Sequence, residues 1–306
     1  MEIKTDLISE DKRQQIVKDW YSCLEVLFKM VEYTKNRETV FLISKAEDPK
    51  KYYYNTRYLR VECVRDFNYL LQMGLHMFDE KRLYNLYYSI TEFKKPIPFL
   101  KFDSERKSKI KNWAEQRMIK ETESYDFFID VDCDKITFEG GKITVRKIKE
   151  LFDKYAIPFE IRCSGKGFHI IVDGKVFNIL GYNISEDLKD ENNICYVFGE
   201  IGKRLNKHVS NLIDDGVYDY RRVTKIPYSL VHYSEEVRVC FPFDSEFEFE
   251  GFKYEDGNAE RFIEKLRKQN GWNWRSLLRE RQTFIFNKGF IPNVEGFIKE
   301  VLSWEN

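Results

Sequence analysis

The chain has 306 residues, and its 51 Lys and Arg are balanced by 51 Asp and Glu, so the formal net charge is zero. It therefore lacks the global basic signature of many nucleic-acid binders, which counts against a tight, nonspecific DNA binder. No apolar run approaches the roughly 18 residues of a membrane span, and six dispersed cysteines without a secretory signal point to a reduced, cytoplasmic protein.

In chain order, residues 8–35 predict one long helix capped by Ser9, with Ile16, Trp20, Cys23, Leu24, Leu27 and Val31 as its inward stripe. Residues 36–124 mix short strands and helices, with Pro96 and Pro98 marking a loop. The basic stretches Arg106–Lys111 and Arg117–Lys120 read as a solvated helix face. Residues 125–132 are aromatic and β-branched and too short for a helix signal, so they predict a buried strand. A helix from Val145 to Tyr155 follows, then two strands around a glycine turn at 164–167. Residues 184–208 predict a helix with Leu188, Ile194, Val197, Phe198, Ile201 and Leu205 inward. Strands near 217–224 and 236–242 complete a sheet, and from about 258 the chain turns helical and aromatic, with Trp272, Trp274 and Trp304. Such alternation argues for the α/β or α+β class.

Three pieces carry chemistry. The strand 125–132 ends in Asp130-Val131-Asp132, and residues i and i+2 of a strand share a face. Two carboxylates at the end of an apolar strand repel each other unless a cation lies between them, and hard ions such as Mg²⁺ or Mn²⁺ take carboxylate oxygens. An EF-hand is excluded, because Lys135 stands where its glycine belongs and Gly141 where its glutamate belongs. The second piece, Ser164-Gly165-Lys166-Gly167-Phe168-His169, puts a hydroxyl, a flexible turn, a cation and an imidazole together, which suits a triphosphate. It is not a Walker A loop, whose spacing is absent. In the third piece Asp214 ends a short apolar stretch, and Arg222 and Lys225 follow in an extended segment before Pro227. An acid followed by closely spaced cations can hold both a metal and phosphate oxygens.

The order of these pieces resembles the archaeo-eukaryotic primase superfamily: an apolar strand ending in D-x-D, a Ser-to-His hairpin, and a late aspartate. The stretch Arg222-Val223-Thr224-Lys225-Ile226-Pro227-Tyr228-Ser229-Leu230 is similar to the family's basic-x-x-basic-x-Pro-x-Ser-hydrophobic segment. Leu86 to Phe93 is similar to its aromatic-Ser segment, and Arg65-Asp66-Phe67 to an Arg-Glu-Phe element. The cysteines make no C-x-x-C pair and no zinc knuckle, so no zinc is expected. That departure and the single-chain size resemble stand-alone primase-polymerases of plasmid, phage or CRISPR-associated type.

The resemblance implies an α/β (α+β) catalytic core over residues 1–257. An N-terminal module at about 36–124 and an RRM-like module at about 125–245 would make up that core, before a helical segment at 258–306. It implies template-dependent primase-polymerase activity on DNA template and primer with nucleoside triphosphates, with primer initiation and extension alone both left open, and two divalent ions, Mg²⁺ or Mn²⁺. Asp130, Asp132 and Asp214 would be the metal ligands. Ser164, Lys166, Gly167, His169, Arg222 and Lys225 would hold the nucleotide, and His232 has no phosphate role. On residues alone, three rivals stay open: a D-x-D glycosyltransferase, a metal-dependent nuclease, and a nucleic-acid-binding module lacking polymerase activity. The first needs neither hairpin nor late aspartate, and the last needs no acid cluster.

Overall fold

Ser9 does cap the first helix, its Oγ accepting the Lys12 N–H at 3.4 Å, but the helix stops after twelve residues. The computed structural model describes residues 8–45, 52–77, 82–94, 119–185, 187, 189–233, 235–243, 246–268, 285–286 and 289–305 of this chain, and its class is α+β. The elements begin with α1 (Glu10–Tyr21), α2 (Leu24–Thr34), β1 (Thr39–Lys45), β2 (Tyr52–Leu59), α3 (Val64–Met77) and β3 (Arg82–Ser89). There follow β4 (Thr91–Phe93), β5 (Thr122–Tyr125), β6 (Phe127–Val131), α4 (Phe138–Lys154), β7 (Phe159–Cys163), β8 (Phe168–Val172) and α5 (Ile194–His208). The last are β9 (Ile213–Asp214), β10 (Val223–Lys225), β11 (Leu230–His232), β12 (Val237–Val239), β13 (Phe241–Pro242), α6 (Glu246–Gly251), α7 (Ala259–Lys268), β14 (Ile285–Phe286) and α8 (Val294–Ser303).

Several elements depart from the sequence expectation, each for a local reason. The single helix over 8–35 is two, because Cys23 is extended at the start of α2. The break restarts the helical phase and turns Leu24 outward, to 54% exposure, while Val26, Leu27 and Met30 go inward. The strand over 125–132 is divided at buried Asp126, whose Oδ1 accepts the Gly174 N–H at 3.0 Å and whose own N–H donates to the Ile90 carbonyl. Helix α4 starts at Phe138 rather than Val145, despite the poor helix propensity of Gly140 and Gly141. A Cβ on Gly141 would stand 2.7 Å from Cys133 Sγ, so the glycine lets the helix lie close against the segment after β6. Helix α5 starts at Ile194 rather than 184, because fully buried Asn193 caps it. Its Oδ1 accepts the Cys195 N–H, while its Nδ2 donates to the Ser185 and Asp187 carbonyls, so the polar run before it is spent on local bonds. The 217–224 strand shrinks to β10, the 236–242 strand is split into β12 and β13, and β11 is additional. Leu188, Pro96, Pro98, Trp272, Trp274 and the basic residues 106–117 lie outside the described residues. Among the described residues no helix is long and apolar enough to cross a membrane.

The chain divides into two compact units, one of residues 1–88, 163–165 and 224–283, the other of residues 89–162, 166–223 and 284–306. In the first, the sheet order is β12-β11-β3-β1-β2, with β10 also on β3. Trp20 fills its core, 1% exposed, and donates its indole N–H to the Tyr228 carbonyl at 2.8 Å. In the second, the order β7-β8-β6-β9 carries β14 on β7, and β4 pairs with β5. One face of this sheet is an aromatic core. The Phe127 ring centroid lies within 6.4 Å of those of Phe152, Phe177, Phe198, Tyr218 and Phe297, which include residues of α4, α5 and α8. Truncating such a residue to Ala costs about 3–5 kcal/mol. Because strand side chains alternate, burying Phe127, Ile129 and Val131 against the helices leaves Phe128 and Asp130 on the opposite face.

Candidate functional site

That opposite face holds a row of three polar side chains, one from each of three neighbouring strands. The antiparallel pairing of β6 with β8 sets Asp130 opposite His169, and the pairing of β6 with β9 sets Asp130 opposite Asp214. Residues directly opposite share a face with Cβ atoms about 4.5–5.5 Å apart. His169 Nε2 lies 3.5 Å from Asp130 Oδ1, with the His169 side chain 5% exposed and that of Asp130 20% exposed. The imidazole packs edge-on against Phe128, 4.9 Å between centroids, which fixes the ring against its own sheet.

Asp214 closes the row. Its Oδ1 accepts the Gly216 N–H at 2.8 Å, and its Oδ2 lies 3.6 Å from Arg222 Nη2. Its neighbour Asp215 is exposed. Asp132 lies just past the end of β6, and its N–H still donates to the Leu212 carbonyl at 2.8 Å, so the segment stays hooked to the approach of β9. Its side chain is solvent-facing. Asp134 is committed elsewhere: Oδ1 accepts from the N–H groups of Ile136 and Thr137 and from Thr137 Oγ1, all at 2.8–2.9 Å. Those bonds hold its carboxyl below the ordinary range, and they make Asp134 a turn residue. Among the described residues no group of three or more His, Cys, Asp and Glu is gathered as placed to hold a metal ion. The opposed pair Asp130 and Asp214 is nonetheless a hard-oxygen donor set, and two like charges held in one row favour a cation near them.

The hairpin between β7 and β8 is shaped by its glycines. A Cβ on Gly167 would meet the Val131 carbonyl at 2.2 Å, so only glycine lets the returning strand approach the end of β6. Cys133 Sγ points at the Lys166 carbonyl at 3.5 Å, joining the segment after β6 to the same turn. In the first unit, Ser164 is 5% exposed, and its carbonyl accepts Lys225 Nζ at 2.8 Å. Lys225 Nζ also donates to Tyr233 Oη at 3.2 Å. His232 is fully enclosed near Arg13, and burial, then the guanidinium, pushes its ring well below the usual histidine value. Tyr88 packs against Tyr33 and beneath the Arg37 guanidinium.

Four residues escaped the sequence reading. Arg162 and Glu160 pair on β7, buried at 3% and 9%. Phe159 packs on Phe152 of α4, so alternation puts Glu160 and Arg162 on the face that carries Asp130 and His169. Arg162 stands two residues before Ser164, and that spacing was a signal available in the sequence. Tyr218 is 7% exposed, and its hydroxyl has no hydrogen-bond partner among the described residues. Burial first, then the carboxylates of Asp130, Asp214 and Asp215, raises its ionisation far above the ordinary tyrosine value. Arg238 is fully buried and reaches Gly165, 73 residues away, a contact with no local sequence signal.

No family model matches the chain, and no curated protein matches it. Among solved structures it is similar to the polymerase domain of Mycobacterium tuberculosis Ligase D in complex with DNA, at 10% identity and a TM-score of 0.48, over 92% of this chain and 100% of that one. It is also similar to the catalytic domain of primase RepB′ in complex with initiator DNA, at 11% identity and a TM-score of 0.38, over 81% of this chain and 98% of that one. A second structure of primase RepB′ is similar at 12% identity and a TM-score of 0.38, over 84% of this chain and 69% of that one. Likeness this loose transfers neither substrate nor site residue, and the chemistry of this chain rests on its own side chains.

Proposed function

We propose that this protein is a metal-dependent nucleotidyltransferase that adds nucleotides from nucleoside triphosphates to a DNA primer on a template, in the manner of stand-alone primase-polymerases. The observation that carries the reading is the row His169–Asp130–Asp214 across β8, β6 and β9. It sets two acids side by side with an imidazole flanking one of them, as a site for a metal-bound triphosphate requires. The Ser-to-His hairpin and the order of motifs along the chain support the same reading.

Asp130, Asp132 and Asp214 are the residues assigned to two Mg²⁺ or Mn²⁺ ions, whose chemistry when bound is to stabilise charge on the attacking 3′-hydroxyl and the leaving pyrophosphate. The protein's own part is positioning and charge placement. His169, already aimed at Asp130, donates from its imidazole to a phosphate oxygen. The Lys166 ammonium and the Gly167 amide contribute from the hairpin, and Arg222 offsets negative charge beside Asp214. Ser164 and Lys225, in the first unit, take the corresponding phosphate-holding roles.

Primer extension tests this directly, with ribo- or deoxynucleoside triphosphates and Mg²⁺ or Mn²⁺. Template-dependent elongation with pyrophosphate release is expected, and a parallel reaction without primer tests de novo synthesis. Shortening of the DNA without pyrophosphate release would establish a nuclease instead. Retained incorporation by the double variant Asp130→Ala, Asp132→Ala would remove the acids from the chemistry.

A further inference from the structure

The tip of the β7–β8 hairpin is held by two cations, and one of them belongs to no motif. Arg238 on β12 has no exposed surface. Its Nε donates to the Gly165 carbonyl and its Nη2 to the Tyr254 carbonyl, while Nη1 donates to both carboxylate oxygens of Glu236 at 3.0 and 3.2 Å. The guanidinium stacks 4.0 Å from the Tyr254 ring centroid. Glu236 is itself fixed by Asn258 Nδ2 at 3.0 Å. Gly257 leaves the necessary room, since a Cβ there would stand 2.6 Å from Nη2. A buried charge network of this kind is weak evidence for a stabilising role, because desolvation offsets much of the attraction. What this one does is orient a peptide.

A trans peptide places its C=O and N–H on opposite sides. With the Gly165 carbonyl turned to Arg238, the following N–H, that of Lys166, points the other way. The Ser164 carbonyl is turned to Lys225, so the N–H of Gly165 is oriented in the same manner. Gly165 adopts φ of +111°, open to glycine, and a Cβ there would lie 2.9 Å from Tyr233 Oη. The turn therefore has little freedom to change shape while both cations hold it. Successive backbone N–H groups in such turns are anion-binding elements.

We propose that Arg238 is a positioning residue for triphosphate binding: through the Gly165 carbonyl it sets the turn that presents the Ser164 hydroxyl and the 165–166 amides to the phosphates. The proposal rests on the nucleotidyltransferase reading. Arg238→Lys and Arg238→Gln test it, with amide hydrogen exchange over 163–167, nucleotide and DNA affinity in Ca²⁺, KM, kcat and melting temperature as readouts. Expected are faster exchange over 163–167 without any ligand and a nucleotide KM raised about 10–100-fold, the scale of lost outer-shell support. DNA affinity should be unchanged, and Ser164→Ala combined with either variant should cost no more than the larger single effect. Should neither variant fold, Gly257→Ala presses on the same guanidinium and should raise KM in the same direction. A lowered melting temperature with exchange over 163–167 and KM unchanged would overturn the proposal alone. Wild-type protein that binds no nucleoside triphosphate with Mg²⁺, Mn²⁺ or Ca²⁺ would overturn both it and the reading beneath it.

Discussion

Replacing Asp130 by Asn should trade activity for stability. Asp130 and Asp214 are direct cross-strand partners, so their Cβ atoms are about 5 Å apart. Two like charges at that distance repel by about 0.8 kcal/mol under water-like screening and about 3 kcal/mol at an effective dielectric near 20. The two side chains are 20% and 37% exposed, and Arg222 lies beside Asp214, so the lower end applies. Losing the 3.5 Å contact of Asp130 with His169 offsets part of that gain. The net expectation for the metal-free protein is a stabilisation of up to about 1 kcal/mol, or a rise in melting temperature of about 2–4 °C. Incorporation should meanwhile fall at least about 10²–10³-fold, the loss seen when one group stabilising transition-state charge is removed. The check is a pair of thermal melts, with and without Mg²⁺ or Mn²⁺, beside primer extension. Wild type should gain melting temperature on adding metal by mass action, and Asp130→Asn should gain much less. A variant that melts lower than wild type without metal and still extends primers would show that the row is structural.

The two adjacent late acids should separate cleanly: Asp214→Asn abolishes primer extension, while Asp215→Asn, altering an exposed side chain, retains most of it. Gly167→Ala should cost about 1–3 kcal/mol in urea unfolding, because its Cβ meets the Val131 carbonyl at 2.2 Å and backbone cannot swing aside. Gly251→Ala, where a Cβ meets nothing within 4 Å, is the control and should stay within about 0.5 kcal/mol. His232 makes a pH-dependent contribution whose sign follows from its lowered value. The folded ring stays neutral while the unfolded one binds a proton below about pH 6.5, so stability drops as pH falls below that point and is flat above it. Comparing wild type with His232→Gln by denaturant unfolding between pH 8 and pH 5 should show the steeper loss of stability in wild type, the difference being up to about 1.4 kcal/mol per pH unit. Parallel slopes in both proteins would place the proton elsewhere.

Much of this protein is written locally. Aromatic and β-branched residues before Asp130 specify a buried strand, and alternation then dictates which of its side chains face away from the helices. Glycines at 165 and 167 announce a hairpin, and Ser9 a helix start. These readings succeed because backbone preference and side-chain direction depend on a few neighbours. Local pattern fails where a residue's best partner is distant. Gly140 and Gly141 predict no helix, yet α4 runs through them because Cys133 lies where a Cβ would be. The break at Cys23 and the buried Asp126 likewise answer to packing and to the Gly174 amide, not to their own propensities.

The site divides the same way. Sequence alone could pair Asp130 with Asp132 on one strand face, since two residues of spacing decide that. Which residues stand beside Asp130 on the neighbouring strands is a matter of register, and register follows from burying Phe127, Ile129 and Val131 against the helices. Only the tertiary structure could set Asp214 across from Asp130 over 84 positions of chain, or bring Arg238 to the Gly165 carbonyl. Short-range sterics write the strands and turns, whereas the meeting of charges is settled by the sheet that the hydrophobic core aligns.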